Sequence, residues 1–158
     1  VFCEGFRVLE NEWFNNLPFA PAQGDVLTIE SSNELHASNG TWHIPEGNKQ
    51  LARIGSTWRH ENLESGPSPS ARNEILKRLQ FIPSVQNNLI NSHSSGVRSG
   101  TKDRNPIIGR HPEIKNFYLF NGFGSRGCST IPLAALEFTK FITHGTPLPQ
   151  HKNLSRFI

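Results

Sequence analysis

The residues best suited to chemistry lie in the last third of this chain. A glycine cluster, Gly122-Phe123-Gly124-Ser125-Arg126-Gly127, follows the short apolar run Phe117-Tyr118-Leu119-Phe120 and precedes a stretch with helical periodicity. A strand-to-helix turn of this kind turns backbone N–H groups and a helix dipole outward, which suits an anion or an electron-rich carbonyl. Gly122, Gly124 and Gly127 fit G-x-G-x-x-G, but the wider unit does not. A dinucleotide-binding turn opens a βαβ unit with an acidic ribose partner about 20 residues on, whereas here the helix is followed by the chain end without a second parallel strand. The cluster is either a packed turn or a ligand-facing loop. Ser125 is not a nucleophile elbow, because Phe123 stands where G-x-S-x-G needs its first glycine. Arg98, at the end of a strand-like stretch and beside Gly96 and Gly100, could hold a carboxylate with both arms of its guanidinium, or form a surface salt bridge. The seven His give no H-E-x-x-H and no tight ligand pair, and two Cys cannot build a four-thiolate site, so no metal centre is expected.

The elements that must position these groups read as strands with intervening helices. Val1–Glu4 is a strand end delivered into Gly5, and Asn11–Leu17 reads as a short helix stopped by Pro18. Asp25–Glu30 has the β-branched content of a strand. Asn39-Gly40 is a strong hairpin turn that hands over to Thr41–Ile44, a better account of Asn39-Gly40-Thr41 than a glycosylation acceptor. A second turn, Pro45–Asn48, leads to the strand Leu51–Trp58, and alternation puts Trp42 and Ile44 opposite His43. Ser68 with Pro69, or Ser70 alone, caps a helix running through Gln80, with Ile75, Leu76, Leu79 and Ile82 as its apolar stripe and Pro83 as its stop. Val85–Arg98 is strand-like but polar, and Asp103–Gly109 is a turn followed by an Ile pair. The last helix covers roughly Ile131–Thr143, with Leu133, Leu136, Phe138 and Phe141 on its buried side and Gly145 as its stop. The fold class is α+β, with a mixed, mainly antiparallel sheet and flanking helices.

Composition bounds the rest. The chain has 158 residues and 17.7 kDa, enough for one medium domain or two small ones. At 35% hydrophobic, with eleven Phe and three Trp, it can build a core. No apolar run approaches 18 residues, so no membrane span is expected. Residues 1–48 carry seven acidic groups against the single basic Arg7, while the remainder carries fifteen basic against six acidic. The positive part can attract a cofactor phosphate, a substrate carboxylate or RNA, though its Lys and Arg are scattered. With no Met, and an opening Val1-Phe2-Cys3 that looks like a buried strand, the chain reads as a fragment of something larger. It has no Lys/Arg-led hydrophobic leader, and a cytoplasmic location is expected.

Two long blocks, Gly96-Val97-Arg98-Ser99-Gly100-Thr101-Lys102-Asp103-Arg104-Asn105-Pro106-Ile107-Ile108-Gly109-Arg110-His111-Pro112 and Asn116 through Gly127, resemble the C-terminal portion of the D-amino-acid-oxidase-like FAD-dependent oxidoreductases. Glycine and sarcosine oxidases belong to that family, as does the oxidase domain of the enzyme that finishes 5-methylaminomethyl-2-thiouridine in tRNA. Val1–Gly5 resembles the last strand of the family's FAD domain, and Pro21–Val26 its entry into the substrate domain. The resemblance divides the chain into 1–20, a remnant of the FAD-binding domain and crossover; 21–98, the substrate-domain sheet and helix; and 99–158, a flavin-facing loop and the returning C-terminal helix.

What the resemblance implies is an FAD enzyme that oxidises the C–N bond of a carboxylate-bearing amino acid or secondary amine. Arg98 matches the substrate-carboxylate arginine and Trp42, less closely, an aromatic pocket residue that is Tyr in glycine oxidases. Gly5 is placed near the flavin, and Gly122, Phe123, Gly124, Ser125, Arg126 and Gly127 at the pyrimidine edge of its ring. The sequence lacks the family's N-terminal G-x-G-x-x-G and its acidic partner, so these residues alone are expected to hold no ADP half and to be inactive without an FAD-binding domain. An open interdomain surface could also drive self-association. Ser125 and Arg126 look more like the tRNA-modifying branch, which makes tRNA an alternative partner. A non-catalytic binding or structural domain is the alternative from another class.

Overall fold

The computed structural model describes residues 1–47, 50–79 and 89–158. They form two compact units, one of Ala22–Val97 and one of Val1–Pro21 with Arg98–Ile158. Strands and helices combine as α+β, and the assigned strand pairs are antiparallel.

The first unit is a five-stranded sheet in the order β2-β3-β4-β1-β5, formed by β1 (Ala22–Glu30), β2 (Ala37–Ser38), β3 (Trp42–Pro45), β4 (Leu51–Gly55) and β5 (Ile90–Arg98). The Asn39-Gly40 turn joins β2 to β3 as the sequence predicts. Gly40 takes φ +72°, a conformation in which glycine meets no Cβ clash, and the Asn39 N–H donates to Thr41 O at 3.0 Å. Leu27, Ile29, Ala52 and Ile54 turn to one face, where they meet Ile75 of α1 (Pro69–Arg78) and Leu79, which caps its C-terminus. Ser68 caps α1, its hydroxyl accepting the Ala71 N–H at 3.2 Å, and Pro69 occupies the first helical position. The expected reach of α1 to Gln80, its Ile82 and Pro83, the start of β5 at Val85 and the Asn48 turn position lie outside the described residues.

Alternation along β3 holds, but it is the polar member that goes inside. His43 is fully buried and Ile44 is exposed. Burial of the imidazole is tolerable because Nδ1 lies 2.7 Å from Leu35 O and Nε2 3.4 Å from Ser31 Oγ. Asp25 is equally buried and equally satisfied: one carboxylate oxygen accepts the Ser68 N–H at 3.0 Å and faces His93 Nε2 of β5 at 2.8 Å. That oxygen ties β1, β5 and the start of α1 together.

The second unit begins with Phe2, which bridges in parallel to Leu119. A 3-10 helix follows at Gly5–Glu10, so the early helix lies upstream of the expected Asn11–Leu17. Asn11 diverts the chain there. Its amide group donates to Glu4 Oε2 at 2.8 Å and accepts the Trp13 N–H at 2.9 Å, favouring turns over helix. Val8, Phe14, Leu17 and Phe19 pack with Ile107, Leu119 and Leu154. The short β6 (Ile107–Arg110) and β7 (Tyr118–Asn121) pair antiparallel, with Ile107 opposite Asn121.

Helix α2 (Gly127–His144) starts four residues before the predicted Ile131, runs through Pro132 and ends where Gly145, at φ +69°, donates its N–H to Phe141 O. Its buried side differs from the one expected. Ala134 and Phe138 are buried against Ile108 and Leu148 with Phe141 beside them, whereas Leu133 and Leu136 are more than half exposed. Positions 134, 138 and 141 share one face at 3.6 residues per turn, and 133 and 136 fall outside it. The sequence pattern misleads here because α2 is apolar almost all round, with Glu137 and Lys140 its only carboxylate and ammonium groups. Among the described residues, no helix is long and apolar enough to cross a membrane.

Phe138→Ala is expected to destabilise the fold by about 3–5 kcal/mol, and Leu136→Ala by no more than about 0.5 kcal/mol, when both are unfolded in urea. Equal losses would reverse the assignment of the two faces.

Candidate functional site

Two glycine turns meet in the second unit. Gly5, at φ +63°, opens the 3-10 helix, and Gly122, at φ +84°, ends β7. Between them stands Asn121, 4% exposed. Its Nδ2 donates to Gly5 O at 2.7 Å and its Oδ1 accepts the Gly122 N–H at 2.8 Å. The sequence reading missed Asn121. The available signal was a polar residue closing an apolar strand immediately before the glycine cluster, but its partner lies 116 residues away.

The returning segment after β5 completes the arrangement. The Gly124 N–H donates to Ser99 O at 2.8 Å, and the Gly124 Cβ position lies 3.7 Å from the Gly100 Cα. Arg98 therefore stands one residue from the point where the glycine loop is fastened. Its side chain is half-buried, and burial pushes the guanidinium below its ordinary pKa. A carboxylate arriving beside it would restore the charge stabilisation that burial removes. The Ser99 hydroxyl, also shielded from solvent, has no hydrogen-bond partner among the described residues.

The glycines divide by cause. A Cβ on Gly100 would sit 2.8 Å from Ala20 O, and one on Gly122 would sit 2.7 Å from Thr101 Cγ2, so both are required by the chain's own packing. At Gly5 a Cβ would meet nothing within 4 Å, and at Gly124 only Gly100. These two leave backbone open to whatever lies beyond. The loop amides are less available than the sequence suggests, because those of Gly122, Gly124 and Arg126 donate within the chain. Among the described residues, the Phe123 and Ser125 amides donate to no main-chain acceptor outside the 3-10 turn Gly124–Arg126. Phe123 packs against Phe120 with ring centroids 4.7 Å apart and the rings tilted by 45°, Ser125 is exposed, and the Arg126 guanidinium donates to Arg104 O. Gly127 is already the first residue of α2.

Trp42 belongs to the other unit. On β3 it pairs with Gly55, which in turn pairs with Val26. A Cβ on Gly55 would lie 3.1 Å from Trp42 Cζ2 and 3.3 Å from Val26 Cγ2, so the indole of the half-buried Trp42 reaches over the space that a side chain at Gly55 would fill. Among the described residues, no group of three or more His, Cys, Asp or Glu could hold a metal ion.

The family model described as FAD dependent oxidoreductase matches residues 1–140. The chain belongs to that family. It is 25% identical over 123 residues to a glycine oxidase of Bacillus subtilis (strain 168), a match covering 74% of this chain and 33% of the oxidase. It is 27% identical over 149 residues to the tRNA 5-methylaminomethyl-2-thiouridine biosynthesis bifunctional protein MnmC of Idiomarina loihiensis, covering 88% of this chain and 24% of that protein. The crystal structure of glycine oxidase from Geobacillus kaustophilus superposes with a TM-score of 0.77 at 20% identity, covering 91% of this chain and 40% of that one. The chain thus spans about a third of the length of the curated glycine oxidase it matches.

FAD can be tested against the residues present. The open backbone at Gly5 and Gly124, the orphan Ser99 hydroxyl and the amides of Phe123 and Ser125 fit the edge of a polar heterocycle. Among the described residues, nothing comparable suits the nucleotide half. The glycine cluster leads into α2, after which only the 3-10 helix Leu154–Phe157 is formed.

The segment that fastens the loop is itself held by charge. Burial raises the Asp103 carboxyl, but the Asn105 N–H, the Thr101 hydroxyl and the Arg156 guanidinium at 3.1 Å outweigh it and hold the pKa below the ordinary range. A depressed carboxylate contributes stability that is complete above its unfolded pKa of about 3.9 and is lost as pH falls through the folded value. Asp103→Asn is expected to melt below the parent at pH 7, and the gap to close on acidification towards pH ~2. A gap independent of pH would show that the carboxylate's charge is not what fastens the turn.

Proposed function

We propose that this chain is the substrate-facing part of an FAD-dependent oxidoreductase that oxidises the C–N bond of a small amine bearing a carboxylate. The observation that carries the reading is the half-buried Arg98 guanidinium, one residue from Ser99, whose carbonyl takes the Gly124 N–H. A cation for the substrate and a glycine edge for the cofactor are thereby fixed to one another within a single unit. When bound, FAD supplies the hydride acceptor.

The chain's own residues orient and polarise. Arg98 takes the substrate carboxylate in two parallel N–H···O bonds, which fixes the direction of the adjoining C–N bond. Phe123 and Ser125 direct backbone N–H groups at the polar edge of the cofactor, where negative charge develops on reduction. The nucleotide half of FAD needs a binding unit outside these 158 residues, in the same polypeptide or a partner.

A second reading takes a modified uridine of tRNA as substrate. The sequence match to MnmC covers 88% of this chain against 74% for the Bacillus subtilis glycine oxidase, and Lys102, Arg104 and Arg126 are exposed beside the glycine loop. The same Arg98 would then hold the carboxymethyl group of the nucleoside, with the exposed cations near the phosphates.

The test is the visible spectrum of the gently purified product of the complete reading frame. The two bands of oxidised flavin, bleached anaerobically by glycine, sarcosine or proline, are the expected result. A protein that stays colourless after incubation with FAD overturns the reading and leaves a non-catalytic domain. Flavin bleached only by tRNA carrying the modified base selects the second reading. In the bleaching assay, Arg98→Lys is expected to weaken a carboxylate substrate by about 2 kcal/mol or more, with a methyl ester affected little.

A further inference from the structure

We propose that Asn121 is a positioning residue: its side-chain amide joins the Gly5 and Gly122 turns into one rigid cofactor-facing edge without touching the cofactor. This rests on the flavin reading for the ligand, but not for the clamp itself.

The clamp stands where a backbone ladder runs out. Phe2 pairs with β7 through two main-chain bonds, its N–H to Tyr118 O at 2.7 Å and the Phe120 N–H to its carbonyl at 3.0 Å. Beyond Phe2 the two segments diverge, because Gly5 turns into the 3-10 helix at φ +63° and Gly122 turns out of β7 at φ +84°. The Asn121 side chain then supplies what the next peptide unit would have supplied. A primary amide carries a donor and an acceptor on one plane, as a peptide does. Gly5 O can only accept and Gly122 N–H can only donate, so the orientation of the amide is fixed, with Nδ2 towards Gly5 and Oδ1 towards Gly122.

No other natural side chain of that size offers both functions. An aspartate keeps the acceptor and sets a carboxylate oxygen against Gly5 O. A leucine keeps the branched four-atom outline and leaves the Gly5 carbonyl and the buried Gly122 N–H without their side-chain partner. The Gly122 side is the more tightly held, since Thr101 Cγ2 and Ile107 N lie 2.7 and 3.3 Å from its Cβ position. The free partner is the Gly5 turn, which has no neighbour within 4 Å of its Cβ position. The amide therefore sets the place of Gly5 relative to a Gly122 that is held independently.

Site-resolved hydrogen exchange on the chain, in the parent and in Asn121→Asp and Asn121→Leu, tests the clamp. Asn121→Asp is expected to speed exchange at Phe2 and Arg7 about tenfold or more while the Gly122 amide stays protected, and Asn121→Leu to speed all three. Exchange at Ile108, which donates to Lys152 O at 2.9 Å, serves as the reference and is expected to be unchanged. Phe2 and Arg7 exchanging within twofold of the parent in both variants would overturn the proposal. In the complete protein, Asn121→Asp is expected to bind FAD about tenfold or more weakly and to shift the visible flavin band. Unchanged affinity together with an unchanged band would overturn the positioning role even if the exchange result holds. A parent that binds no FAD sinks the flavin reading alone, since the exchange experiment still decides the clamp.

Discussion

The second unit depends on the closure of a long excursion. The chain leaves it after Pro21 and returns at Arg98, and the two limbs meet in one place, where the Ala20 N–H donates to Gly100 O at 2.8 Å and Phe19 bridges Thr101. The entropy of closing such a loop grows only logarithmically with its length, so an insertion of this size is tolerable if its neck is well made. The neck is made by glycine. A side chain at position 100 would strike Ala20 O at 2.8 Å, and one at 122 would strike Thr101. With the neck closed, Ser99 is where it can take the Gly124 N–H, and the loop, Arg98 and the start of α2 follow.

This bears on how a glycine-rich motif should be read. Gly100 and Gly122 are needed because backbone and side chains of the same chain approach them, and no ligand has to be invoked. Gly5 and Gly124 are different, because positive φ and open space coincide there. The sequence reading left a packed turn and a ligand-facing loop as alternatives, and the cluster holds a tightly packed Gly122 beside a less crowded Gly124. The polar loop also consumes much of its own donor capacity, since three of its amides are bonded internally.

The parts of the fold visible in the sequence are those set by local chemistry. Asn39-Gly40 demands a hairpin, Ser68-Pro69 begins a helix, and Gly145 ends one, because each acts through its own φ or a neighbouring N–H. The parts that were hidden depend on partners far along the chain. His43 can be inside only because Leu35 O and Ser31 are there to meet it, and its type alone gives no sign of that. Asn11 prevents the helix expected at Asn11–Leu17 by engaging Glu4 and Trp13. The buried side of α2 was ambiguous for a different reason. A helix that is apolar nearly all round carries no information about which stripe Ile108 and Leu148 will cover.

The candidate site shows the same division in sharper form. Arg98 and the 122–127 loop drew notice through residue type and through a family pattern, yet neither source marks Asn121, whose two bonds require Gly5 O and Gly122 N–H to be brought within reach of one amide. Replacing that amide by any apolar group would leave the periodicity of β7, the glycine spacing and the composition of the cluster untouched. The joining of the two glycine turns therefore depends on a residue invisible to pattern, because one of its two partners is Gly5, 116 residues away. The order of dependence runs from the neck at Gly100, to the Phe2 pairing, to Asn121, and last to the open backbone of Gly5 and Gly124. The surface offered to a ligand is the final product of packing, and its glycines can stay bare because Asn121 and Ser99, just behind them, carry the bonds that hold them.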